Sequence, residues 1–173
     1  MLVWELAGIP FIVTIGSALH FAFEWSGFWT PLALFAAVNE STWEHLKLAF
    51  WPCLFWAILE CRRIDVDQDL FWAAKGYGLL IPPIVIVTVF SSYTAILEYN
   101  ILAVDISIFI LAVALGQIVS ARQLTRSRLP FGRMLLTLQI LAYATLTFVP
   151  PSVPLFQDPR TGDYGIPSKL VPM

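Results

Sequence analysis

Charge is scarce in this sequence. Lys, Arg, Asp and Glu make up 13% of its 173 residues, about half the share of an ordinary soluble domain. Ten basic and twelve acidic residues leave a net charge of -2. No basic patch with interleaved aromatics occurs, so nucleic acid is not an expected partner. Cysteine is equally sparse. Cys53 and Cys61 are the two present, and on one helix they would be separated by about 12 Å of rise, too far to bridge. A disulfide framework is therefore excluded. The sequence holds no H-E-x-x-H pair, Walker loop, dinucleotide fingerprint or G-x-S-x-G elbow, and the enzyme classes those motifs mark fall away. Nor does it show the internal repeat of many secondary transporters. Its first residues, Met1 to Glu5, lack the basic region of a secretory signal, so the first apolar block is expected to be a retained helix.

What is abundant is apolar residue in long blocks. Hydrophobic residues reach 58%, and the mean hydropathy is +0.77. A bilayer core takes about 20 predominantly apolar residues per helix. Five blocks meet or approach that length: Val3 to Phe23, Thr42 to Glu60, Leu70 to Ile96 with Pro82-Pro83 inside it, Ile101 to Ser120, and Phe131 to Val149. The expected fold is all-α, a five-span transmembrane bundle over residues 1–149. Residues 150–173 form a Pro-rich tail packing on its outer face. The lipid bilayer is then the first partner and the cell membrane the location, as a multi-pass protein. Five short spans also leave room for a homo-oligomer or a subunit of a membrane complex.

Basic residues set the expected orientation. Arg62, Arg63 and Lys75 flank the connection between the second and third blocks, and Arg122, Arg126, Arg128 and Arg133 that between the fourth and fifth. Both connections belong on the cytoplasmic side, with the N-terminus. The tail, with Arg160 and Lys169, then lies outside.

The densest polar stretch is Asn39-Glu40-Ser41-Thr42-Trp43-Glu44-His45-Leu46-Lys47, directly before an apolar run. Ionisable groups set against a membrane span are costly and usually functional. Ser41-Thr42-Trp43-Glu44 has the form of a capping box, with Glu44 reaching back to the cap. Pro31 to Val38 is then expected to break from the second span. On the topology above, His20 and Glu24 share a face at the outer end of the first span. Glu40, Glu44 and His45 start the second, and Asp105 lies a turn or two into the fourth. The inner halves hold little beyond Gln117, Gln139 and Lys75. This one-sidedness predicts an outward polar cavity, with Asp105 partnered by His45 or Lys47.

Three chemistries fit. His20, His45, Glu40 and Glu44 have the donors for a divalent metal such as zinc, manganese or iron. Glu40, Glu44 and His45 would then be the acid, base or ligand groups, with Asn39, Ser41, Lys47, Asp105 and Glu24 binding a small polar ligand, and hydrolysis of a lipid-like substrate is the reaction such a site allows. The same groups could instead relay protons in a proton- or ion-coupled transport component. In the third reading Glu40 and Glu44 pair with Lys47 in an internal ion cluster that fixes helix packing, or Lys47 simply snorkels to the outer headgroups.

The run Asn39-Glu40-Ser41-x-Trp43-Glu44-His45-x-Lys47-Leu48, with Trp51-Pro52 after it and His20-x-x-x-Glu24-Trp25-Ser26-Gly27 before it, resembles a family of small bacterial integral membrane proteins of unknown function. Asp105-Ile106 and Gln117 look similar too. The resemblance implies the membrane topology and carries no activity.

Overall fold

The computed structural model describes residues 1–126 and 128–167. Lys169 and the end of the tail lie outside the described residues. The described chain is all-helical: α1 (Leu2–Trp25), α2 (Thr42–Glu60), α3 (Gln68–Gly78), α4 (Ile81–Leu97), α5 (Leu102–Gln123) and α6 (Gly132–Thr145). Short 3-10 turns occur at Thr30–Leu34 and Pro154–Phe156.

Three helices are long and apolar enough to cross a membrane: α1 with 24 residues, α5 with 22, and the broken helix Gln68–Leu97 with 30. The other two expected spans differ in kind. At 14 residues, α6 reaches about 21 Å, short of a hydrocarbon core of about 30 Å. The limits of α2 coincide with those expected from its cap, but it is the buried centre of the fold, with Leu46, Leu48, Ala49, Phe50 and Leu54 all inside.

The third block breaks earlier than its prolines. α3 ends at Gly78, and α4 restarts at Ile81 with proline in its first turn. A missing N–H costs nothing there and would cost a hydrogen bond in mid-helix. Pro31 to Val38 does break from α2, as a 3-10 turn followed by irregular chain.

α2 packs on α1 and α4, α1 on α5, and α3 on α5 and α6. The α3–α6 contact is backbone on backbone: a Cβ on Gly76 would collide with the Gly132 carbonyl, and one on Gly132 with Ala73. An aromatic stack holds the tail. Trp43 lies between Tyr143 at 4.7 Å and Phe156 at 4.6 Å, and Phe50 stacks on Tyr143 at 4.4 Å. Phe156 is buried in the process.

Helices alternate in direction, so the end of α1, the start of α2, the end of α4 and the start of α5 gather at one end of the bundle. Many outward side chains are apolar: Val3 is 79% exposed, Ile96 80% and Leu102 72%.

Candidate functional site

The polar residues at this end form three separate constellations instead of one cavity. The first contains both histidines of the chain. His20 sits in the last turns of α1, Glu40 in the loop before α2, and His45 in the first turn of α2. One ligand atom from each lies within 4.8 Å of the others, and all three residues are half-buried.

Local structure aims these groups. Ser41 caps α2, accepting the Glu44 N–H on its hydroxyl at 3.4 Å. Its carbonyl lies 2.9 Å from His45 Nδ1. A carbonyl only accepts, so Nδ1 carries the hydrogen, and the lone pair of neutral His45 is left on Nε2. That atom lies 3.5 Å from Glu40 Oε2. The His20 ring meets His45 edge-on at a centroid distance of 5.1 Å and stacks on Phe21. His20 Nδ1 is buried without a hydrogen-bond partner among the described residues. An imidazole oriented through one nitrogen by a backbone carbonyl, with its other nitrogen facing a carboxylate, is the arrangement that prepares a metal ligand.

Glu40 also faces the tail. Its Oε1 lies 3.7 Å from Arg160 Nη1, and a cavity of about 20 Å³ opens between Glu40, Asn39, Asp158 and Thr161. Asn39 holds the tail in place. Its amide donates to the Gly165 carbonyl at 2.8 Å, while its oxygen accepts the Ser41 N–H at 2.8 Å. Asn39 and Ser41 thus shape the loop that presents Glu40 and His45.

Glu44 and Lys47 make the second constellation, and the capping box is only half formed. The Glu44 carboxylate does not turn back to Ser41. Oε2 accepts the Val38 N–H at 3.1 Å and pairs with Lys47 Nζ at 2.6 Å, while Oε1 accepts the Thr147 hydroxyl at 3.0 Å. Lys47 also donates to the Ala33 carbonyl at 2.7 Å. Both side chains are buried, at 2% and 0% exposure, so Lys47 does not snorkel. Glu44 already has a full set of partners and stands outside the histidine group.

Asp105 belongs to the third, and its expected pairing with His45 or Lys47 is overturned. Its carboxylate accepts the Tyr93 hydroxyl in a short hydrogen bond and the Asn100 amide at 2.8 Å. Tyr93 in turn accepts the Ile101 N–H at 3.2 Å. These bonds close the α4–α5 turn. Glu24, half-buried on α1, is not part of the histidine group either.

The expectation that the inner end holds little beyond Gln117, Gln139 and Lys75 also fails, because Glu5 and Glu60 join Lys75 there. At the opposite end of the bundle Lys75 Nζ lies 2.8 Å from Glu5 Oε1 and makes a short contact with Glu60. Ser120 donates to Glu5 Oε1 at 2.6 Å, and the Gln117 amide to the Glu5 carbonyl at 3.0 Å. In sequence Glu5 and Glu60 read as flanks of spans, and 70 residues separate Glu5 from Lys75. No local pattern announces their meeting.

No curated protein and no solved structure matches this chain. A family model covers residues 1–166, which takes in all six helices and every residue of the constellations above. The chain belongs to that family, the family of unknown function DUF6512.

Proposed function

We propose that His20, Glu40 and His45 form a divalent-metal site at the outer end of a membrane protein. The observation that carries this reading is the convergence of two imidazoles and a carboxylate from α1, the loop and α2 within 4.8 Å. Metal–ligand bonds of about 2.0–2.1 Å in tetrahedral geometry put ligand atoms roughly 3.4 Å apart. Small side-chain rotations close the gap. Two histidines and one carboxylate leave a coordination position for water, the pattern of hydrolytic zinc sites. When bound, the metal supplies a water acidified to hydroxide near neutral pH. Ser41 keeps His45 in the ligating tautomer, and Arg160 places positive charge beside Glu40. Trp25, 72% exposed, and Trp29, 60% exposed, lie at the same end. Amphipathic rings of this kind settle at the membrane interface, which favours a lipid-like substrate.

Membrane placement is supported by the three long apolar helices and by the exposed apolar faces. In the orientation favoured by Arg62, Arg63, Arg122, Arg126 and Arg133, the histidine end faces outward. A transport reading draws less support, because Ile12, Ala49, Phe50, Cys53, Ala112 and Val113 fill the core between the two ends. The structural-lock reading is favoured for Glu44 and Lys47 alone, whose polar atoms are mutually satisfied.

The test is metal analysis of protein purified without chelators. Wild type is expected to hold one divalent metal per chain, lost in His45→Ala and Glu40→Gln. A preparation with no stoichiometric metal, and none taken up on addition, would sink the proposal.

A further inference from the structure

The buried cluster at the other end of the bundle does not balance. Two carboxylates, Glu5 and Glu60, face one ammonium, Lys75, and exposures are 0%, 0% and 1%. If all three are charged, the cluster carries one uncompensated negative charge out of contact with water. Two oxygens also lack partners: Glu5 Oε2 and Glu60 Oε1 are buried with no hydrogen bond among the described residues. An ionised carboxylate oxygen accepts only, so neither orphan can satisfy the other. A single proton removes the excess charge and puts a hydrogen on one of the two orphan oxygens.

We propose that Glu5 and Glu60 form a carboxylate dyad that holds one proton at neutral pH, taken from solvent water and returned to it on alkalinisation. A proton fits better than an alkali cation because Lys75 already occupies the space between the two carboxylates, and its ammonium repels a second ion. One proton makes one carboxyl neutral, gives it an O–H to donate, and leaves the other carboxylate paired with Lys75. Two carboxylates sharing one site behave this way because both cannot remain ionised together.

The groups facing the dyad come from four helices. α1 contributes Glu5, with the amino terminus at Met1 beyond it. α2 contributes Glu60 and the buried thiol of Cys53, α3 contributes Lys75, and α5 the neutral Ser120 and Gln117. Met1 is 51% exposed, so solvent screens its charge. The proton thus governs a junction of α1, α2, α3 and α5.

Infrared difference spectroscopy of the purified full chain in lipid nanodiscs, titrated with acid and base, tests this. Wild type should show the carbonyl stretch of a protonated carboxylic acid at neutral pH, disappearing on alkalinisation. Glu5→Gln and Glu60→Gln should each abolish that band, since the remaining carboxylate then has Lys75 to itself. A second readout is the pH dependence of unfolding. Folding that takes up one proton loses about tenfold in its equilibrium constant per pH unit from the range where the unfolded carboxyl titrates up to the pH at which the folded dyad releases its proton, and nothing beyond it. Either glutamine variant should lose that increment of slope. The wild-type spectrum decides even if a variant fails to fold: absence of the band at neutral pH overturns the proposal. So does a band that survives in both variants. Replacing sodium by choline should change nothing, and a protonated band that appears only without sodium would assign the site to the metal cation instead.

Discussion

Replacing Lys47 by methionine removes a buried ammonium while nearly keeping the shape of its side chain. In the fold its Nζ is 2.6 Å from Glu44 Oε2 and 2.7 Å from the Ala33 carbonyl, with no exposure to solvent. Without it Glu44 keeps the Val38 N–H and the Thr147 hydroxyl, but its charge has no counterpart. Breaking one side of such a pair costs about 3–5 kcal/mol, because the surviving charge stays buried, whereas exchanging both partners for neutral groups is close to harmless. Lys47→Met should therefore lose about 3–5 kcal/mol, and adding Glu44→Gln should restore at least about half of that loss. Denaturant unfolding in mild detergent, followed by Trp fluorescence, reads both, since Trp43 lies in the stack with Tyr143 and Phe156. A Lys47→Met protein within about 1 kcal/mol of wild type would refute the reasoning. It would mean that water or a neighbour already shields the carboxylate, as at an exposed pair.

Other expectations follow from the same geometry. Gly76→Ala should cost about 1–3 kcal/mol or more, read as a fall in melting temperature, because the new methyl meets the Gly132 carbonyl. Asp105→Asn should stay within about 1 kcal/mol of wild type, as the amide oxygen still accepts from Tyr93, its NH2 can donate to Asn100 once that side-chain amide turns its oxygen inward, and the residue has no place in the metal site. Phe156→Ala removes one face of the Trp43 stack. Truncating a buried Phe costs about 3–5 kcal/mol, and here the loss should fall on tail docking, seen as faster tryptic cleavage after Arg160.

The helices were more legible in the sequence than the site. The limits of α2 could be read because Ser41 supplies a cap at one end and Arg62-Arg63 follow the other. The histidine pairing was half legible. A five-block topology puts His20 and His45 at one depth, but depth does not say which neighbours meet. Asp105 shares that depth, yet Tyr93, one turn-closing hydrogen bond away, claims it. Glu44 illustrates a different limit. The S-x-x-E pattern names one donor for its carboxylate, the Ser41 N–H, which Asn39 takes instead, whereas burial brought three others, Lys47, Thr147 and the Val38 N–H. The Glu5–Glu60–Lys75 junction was not legible, since its members come from three helices and each looks ordinary beside a span end. The same holds for α6, whose apolar block reads as a span although its helix closes after 14 residues.

The most direct test of the account is the visible absorption of the protein loaded with cobalt(II), which reports ligand number and symmetry at a zinc-type site. Wild type should give the intense d–d bands of a four-coordinate centre at one equivalent. His20→Ala, Glu40→Gln and His45→Ala should each weaken or abolish them, while Glu44→Gln, one position from His45 but bonded elsewhere, should leave them unchanged. Bands that are absent in wild type, or lost in Glu44→Gln and kept in His20→Ala, would contradict the assignment of the metal to His20, Glu40 and His45.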